Sequence, residues 1–547
     1  MEFAGGVGFA DGSAPPLARL TFTLNGTPVS LAHGLAWERA MEWLPTFTGT
    51  ADSLVVRGTV FAPYGKDADT AGAVYAIAVE NRGTADADVS ITLDGSLGYR
   101  QLRVRTARPF DDSHLVMQAP DDIVVLKGAA LPGLVALAIG SDGTAHVETQ
   151  EPARYSIRRD VRIPAGQHTD VAFYLAAGPE QDGAHATASV MRRRGWRELV
   201  SATRDALREL EQTTGHEALD RLINRNVLLA YFYGVGRALD DAHFYLVRTR
   251  TPWHGLGVTF REWEALTWTL PAVQLVDADL ARELILRACE LHGYAPGAGV
   301  RYLDGTLFEP GFCLEGAASY ALAVDRYIRE TNDDQIVEEP VLADTLYLAS
   351  DDLAARRNVN VPLYTTEVTP SGNPAALPYT LHGNAVVAQA LDVFRRTLDE
   401  QTARDVQDPD AVRAALKRHF ARDKDGKSTY ASAIDLTGNA VLDDDPLASV
   451  FWLPVYEVVD RNESTYRRTA RAASKDHRFL VRQCARLLGP DASEVMQWVR
   501  RAPLDDGFAA EQVDESGRAQ ANGGDASVAG LLAHTLWYAV HALGVTP

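Results

Sequence analysis

Gly178-Pro179-Glu180-Gln181-Asp182-Gly183 marks the point where one periodicity gives way to another. Upstream of it the apolar residues alternate. Leu20-Thr-Phe-Thr-Leu24, Asn25-Gly26 and Thr27-Pro-Val-Ser-Leu31 read as a hairpin, because Asn-Gly accepts the positive φ of a type I′ turn. Further alternating runs cover 54–61, 73–79, 89–93, 123–126, 134–139 and 171–175, separated by Gly, Asp and Asn. Many short strands at this spacing predict an antiparallel sandwich.

Downstream, a long polar helix is expected to carry Trp196, Leu199, Ala206 and Leu210, and from about 216 the apolar spacing becomes three and four. Helical segments are expected at 216–235, 261–275, 278–292, 315–331, 384–400 and 525–543, within roughly a dozen in all. Asp277 caps the run from Leu280. Long loops at 237–260, 293–314, 361–383 and 423–446 carry Trp, Tyr, Arg, Asp and Gly, the composition of loops that build a site. The expected architecture is therefore an N-terminal antiparallel β-sandwich (1–180), a linker helix (181–214) and an (α/α)6 barrel (215–547). An open helical solenoid is the alternative, but no repeat of about 34 or 40 residues accompanies it.

A chain of 547 residues exceeds one ordinary core, and 46% hydrophobic with 23% charged residues is a globular composition. A net charge of −20 would repel a phosphate backbone, which argues against nucleic-acid and anionic-membrane partners. Cys289, Cys313 and Cys484 stand far apart without metal-ligand spacing, as in a reducing compartment. No basic stretch leads into an apolar run near Met1, so a cytoplasmic location is expected. No nucleotide, metalloprotease or serine-hydrolase motif occurs, so neither cofactor nor metal is expected.

Carboxylates beside aromatics at loop-to-helix junctions carry the candidate chemistry. In the stretch from Thr251 through Trp253, His254, Arg261, Glu262 and Trp263 to Glu264, Glu262 either serves as an acidic first turn or binds sugar hydroxyls with Arg261 orienting it. Glu315 opens the helix of Leu322, Val324 and Tyr327. It is either a cap-region acid or a general acid buried among Phe308, Phe312 and Leu314. Glu511-Gln512 sits before the last long helix, as a solvated acidic loop or a general base. Tyr379, His382 and Asn384 line a pocket, or Asn384 simply caps its helix. Aromatics such as Trp253, Trp263, Phe312 and Trp452 are sugar platforms or plain core. An inverting glycosidase needs two carboxyls about 6.5–9.5 Å apart. Ring closure is expected to bring Glu315 and Glu511 to one cavity.

In this order and spacing the motifs resemble the six-hairpin glycosidases, specifically the glucoamylase-like enzymes and the metal-independent exo-α-mannosidases. The resemblance covers about 220–545, with a β-domain like that of bacterial glucoamylases. It rests on Arg261-Glu262 in place of an Arg-Asp pair that contacts the terminal sugar. It rests also on Cys313-Leu-Glu-Gly-Ala317 followed by Tyr327-Ile-Arg-Glu-Thr-Asn332, and on Glu511-Gln512 before the final helix. It implies inverting, exo-acting hydrolysis of an α-glycoside, with Glu315 as acid, Glu511 as base and Arg261 with Glu262 at the terminal sugar. Glu262 and Glu315 stand where the relatives carry Asp, which extends each carboxylate by about 1.5 Å.

Three functions are weighed: an inverting exo-α-glycosidase, a disaccharide phosphorylase and a carbohydrate-binding protein without turnover. Phosphorolysis would need a basic cluster, for which Arg248, Arg250 and His254 are the candidates. All three take a carbohydrate. A homodimer contact and the pocket rim are both open roles for the β-domain.

Overall fold

The computed structural model describes residues 18–546, apart from 32–33, 66–69, 97–113, 119–120, 131–132, 151–153, 179, 238–242, 252–253, 255–256, 425, 443–444, 474–477 and 521–522. The chain forms two compact units that divide between Glu211 and Gln212.

In the first unit the antiparallel strands form two sheets. One orders His146–Gln150, Arg154–Ile163, Ala87–Ser96, Arg19–Leu24 and Thr27–Val29. The other orders Ala36–Ala40, Leu44–Ala51, Leu54–Phe61, Gly72–Asn81, His168–Gly178, Gly133–Ser141, Val124–Ala130 and His114–Gln118. Alternate residues of each sheet meet in one core: Val89, Ile91 and Leu93 from the first, and Leu54, Val56, Ile77, Val79, Val171, Phe173 and Leu175 from the second. The period-two pattern thus turns one face of each sheet to the core, and the centre of the second sheet is buried on its other face as well. Asn25 and Gly26 take φ of 50° and 80°, the geometry a two-residue hairpin requires. The pair Ala36–Ala40 and Leu44–Ala51 escapes the sequence pattern. Its turn places Met41 and Glu42 at positive φ, residues that do not advertise a turn.

The stretch after 180 is two helices rather than one: α1 (Gln181–Arg194) and α2 (Trp196–Glu209). Both belong to the first unit, and α1 packs on Gly133–Ser141 and His168–Gly178. The break is Gly195, at φ 80° and ψ 149°, a conformation almost restricted to glycine.

The described helices of the second unit are α3 (Glu217–Tyr233), α4 (Glu262–Glu264), α5 (Leu270–Gln274), α6 (Ala278–His292), α7 (Leu314–Thr331), α8 (Pro340–Ala355), α9 (Leu381–Thr397), α10 (Glu400–Asp405), α11 (Pro409–Phe420), α12 (Ser464–Ala473), α13 (Leu480–Leu487), α14 (Ala492–Arg501) and α15 (Ala526–His541). Asp277 caps α6 as expected, accepting from the Leu280 amide at 2.9 Å. Helix α9 starts at Leu381, earlier than the apolar spacing indicated. Asn384 therefore lies inside it and does not cap it. Its side chain clamps Tyr364, accepting from the Tyr364 amide and donating to the Tyr364 carbonyl. The long loops contain short ladders, among them the hairpin Gly299–Tyr302 with Leu307–Pro310.

Between α4 and α5, Ala265–Thr269 is a π-helical turn, with the Leu270 amide reaching the Ala265 carbonyl. Pro271 follows and has no N–H to offer, so the ordinary ladder is interrupted there. Helix α15 packs against α3, α13 and this 262–274 stretch. Gly530 makes the approach possible: a Cβ there would stand 2.6 Å from the Trp268 carbonyl oxygen. Among the described residues no helix is long and apolar enough to cross a membrane.

Replacing Gly195 by Ala forces a Cβ into a strained backbone, so the first unit should lose about 1–3 kcal/mol. Urea unfolding of this unit followed by far-UV circular dichroism measures the loss.

Candidate active site

Helix α4 starts after Arg261, and its two glutamates have different fates. Glu262 is 4% exposed. Its Oε1 accepts from the Tyr320 hydroxyl at 3.0 Å and its Oε2 from the Gly297 amide at 2.8 Å. Burial pushes its pKa up to about 7, against the hydrogen bond from Tyr320 and the charge of Arg301. Arg261 does not orient this carboxylate. The guanidinium turns instead to Glu264, 3.6 Å from Oε1, and to Glu309, 3.4 Å from Oε2.

Glu264 lies between two arginines. Its side chain is 5% exposed, and its Oε2 stands 3.4 Å from Arg248 Nε without hydrogen-bond geometry. Burial raises its pKa, with Arg248 and Arg261 opposing. Arg248 Nη2 reaches Glu511 Oε2 and Asp525 Oδ2, each at 3.2 Å. Glu264 first, then Asp525 and Glu511, hold the guanidinium above its ordinary pKa. The Arg248 backbone is fixed too, because its carbonyl accepts from the Ser527 amide and hydroxyl in the first turn of α15. Asp525 also caps α15, accepting from the Val528 amide. Glu511 is the accessible member of this group, with 43% of its side chain exposed. A carboxylate oriented by a guanidinium and open to solvent can accept a proton from water.

Glu315 belongs to a different group. It is 1% exposed, in the first turn of α7. Its Oε1 lies 2.9 Å from His382 Nδ1, and Cys313 Sγ donates to its Oε2 at 3.4 Å. Burial and then the charge of Glu315 raise the Cys313 thiol well above its usual range. The His382 ring meets Trp263 edge-on at 5.4 Å and Tyr456 at 5.8 Å. Trp263, lying in the chain between Glu262 and Glu264, therefore touches the Glu315–His382 pair.

The remaining expected residues scatter around these groups. His254 sits in the field of Asp525, Arg248 and Glu511, and burial lowers its pKa. Phe312 is buried beneath the Arg356 guanidinium at 4.3 Å. The Tyr379 hydroxyl accepts from Asn358 at 2.8 Å. Trp452 stacks on Tyr456, and the Gln512 side chain is exposed. Trp253 lies outside the described residues. Arg261, Glu262, Trp263, Glu309 and Pro370 line a cavity of about 40 Å³. Sequence reasoning passed over Glu264, Glu309 and Asp525. Only Asp525 carried a readable signal, as a cap before an apolar helix.

The Glu262 carboxyl should tie stability to pH. Its folded pKa of about 7 exceeds the reference 4.5. Below 4.5 both states hold the proton and nothing is lost. Between 4.5 and 7 only the native state keeps it, so stability falls as pH rises, by roughly 3 kcal/mol across the window. Glu262→Gln should remove this part of the slope. Urea midpoints at pH 5, 6, 7 and 8 for both proteins measure the difference.

No protein-family model matches the sequence, and no curated protein matches it. Solved structures do match. A bacterial glucoamylase in complex with acarbose aligns with TM-score 0.66 at 11% identity, over 95% of this chain and 88% of its own. A protein assigned as a kojibiose phosphorylase, from the human microbiome, aligns with TM-score 0.63 at 10% identity, over 95% and 78%. A metal-independent α-mannosidase from Streptococcus pneumoniae, in a non-productive complex with α-1,6-mannobiose, aligns with TM-score 0.51 at 12% identity, over 62% and 98%. The fold is similar to that of these three carbohydrate-active proteins, as the ordered motifs of the sequence anticipated.

Proposed function

We propose that this protein is an inverting, exo-acting α-glycosidase acting on oligosaccharides or small glycosides. In this reading the second unit is an (α/α)6 barrel, Glu511 is the base and Glu315 the acid. The packing of α15 on α3 supports ring closure, and the shared fold supports a carbohydrate substrate.

The observation that carries the reading is the setting of Glu511. Arg248 orients it, and nearly half of its side chain is open to a water. The same setting disfavours phosphorolysis. Arg248, whose guanidinium reaches Glu511, already pairs with Glu264, Glu511 and Asp525, and a phosphate would have to share it with those three charges. Glu315, oriented by His382 and Cys313, gives its proton to the departing oxygen while Glu511 takes one from water.

One observation favours a second reading, carbohydrate binding without turnover. Glu315 is enclosed and both of its oxygens hold protein partners.

Aryl α-glucosides and α-mannosides together with the matching unactivated disaccharides separate these readings. Glu511→Gln should lower kcat by about 10²–10⁴ on every substrate turned over. Glu315→Gln should do so on the disaccharides, whose leaving groups need a proton. Proton NMR of the first product should show the β-anomer. An α-anomer, or turnover that depends on inorganic phosphate, excludes the inverting hydrolase. Binding without turnover supports the second reading.

A further inference from the structure

Five ion pairs join in one network that forks at Arg248. Glu309 meets Arg261 at 3.4 Å, Arg261 meets Glu264 at 3.6 Å, and Glu264 meets Arg248 at 3.4 Å; Arg248 then meets Glu511 and Asp525 at 3.2 Å each. Its middle is buried, and two carboxylates at its ends are not: the side chains of Glu309 and Glu511 are 45% and 43% exposed. The inner contacts are ion pairs without hydrogen-bond geometry. Arg248 Nε, Arg261 Nε and Glu264 Oε2 are all enclosed without a hydrogen-bond partner. The inner contacts are therefore held by charge, and among the described residues Glu264 is the only carboxylate that touches both arginines.

We propose that Glu309 joins Arg261, the arginine that the resemblance already sets at the terminal sugar, in holding sugar hydroxyls, and that Glu264 is a positioning residue keeping this subsite and Glu511 in one framework. The proposal rests on the carbohydrate reading above. Arg261 and Glu309 face the same cavity, with Trp263 in its wall. About 40 Å³ gives room for about three water-sized groups, the scale of a sugar's hydroxyl edge rather than of a whole ring. A guanidinium beside a carboxylate offers donors next to acceptors, and a hydroxyl is both. An anionic ligand would meet Glu309 and a cationic one would meet Arg261, so the pair suits a neutral polyol. Glu262 lines the same cavity, but Tyr320 and Gly297 each already hold one of its oxygens, so it is less free for this role than Glu309.

Calorimetric titration with D-glucose, D-mannose and, as an anionic control, D-gluconate tests the subsite. Wild type should bind glucose or mannose and bind gluconate more weakly. Glu309→Ala and Arg261→Ala should each weaken sugar binding tenfold or more, with Glu309→Gln between. Glu264→Gln should raise KM and lower kcat together on any glycoside that is turned over, with Glu264→Asp recovering part of both. A role in folding alone would reduce the folded fraction and leave KM unchanged. Wild-type protein that binds neither sugar, or unchanged affinity in Glu309→Ala, overturns the subsite. Hydrolysis with unchanged KM in Glu309→Ala also overturns it while the glycosidase reading stands. Binding that Glu309→Ala abolishes, with no glycoside cleaved, keeps the subsite and removes the hydrolase.

Discussion

One guanidinium makes the site possible. Arg248 gathers carboxylates from α4, from the loop before α15 and from the cap of α15 itself. Three negative charges in a partly enclosed space repel one another, and each would resist losing its water. The arginine offsets both costs at once. Without it, breaking pairs of this kind leaves uncompensated buried charge, at about 3–5 kcal/mol. The second arginine, Arg261, extends the same logic outward to Glu309.

This dependence explains why the local backbone is so closely stitched. Thr249 and Thr251 both donate to the Gly524 carbonyl, and Ser527 donates to that of Arg248. The π-helical turn after α4 packs against α15, the helix that Asp525 caps. Asp525 does two jobs with two oxygens: one caps α15 and the other meets Arg248.

The fold was readable wherever one physical signal dominated. Alternation predicted the strand around Val89 to Leu93 because one of its faces is buried, while the run Val171 to Leu175 was readable as a short apolar stretch buried on both faces, with α1 packed against its strand. The Asn25-Gly26 turn was readable because its residues tolerate positive φ, whereas Met41 and Glu42 adopt the same region without a compositional cue. The break at Gly195 was missed because a single glycine within a polar run is ambiguous. In the site, Glu262 and Glu315 stood out by position at helix starts, and Glu511 by its place in the loop before the last helix. What position could not tell is which way a carboxylate faces. Glu262 and Glu264 are two residues apart, yet one is held by a tyrosine and an amide and the other by two arginines. Glu309 sits in a short hairpin whose partner strand brings it to Arg261, a tertiary placement that no local pattern encodes.

The spacing of these partners along the chain has a consequence for synthesis. Arg248 and Glu511 are 263 positions apart, and Arg248 and Asp525 are 277 apart. At ribosomal speeds the first half of the cluster waits tens of seconds, in order of magnitude, for the second half to emerge. Throughout that interval Arg248 lacks two of its three counterions, and the groove that α15 will fill, lined by Trp268 and Thr269, is open. A nascent chain stalled in that window would expose apolar surface together with unmatched charge.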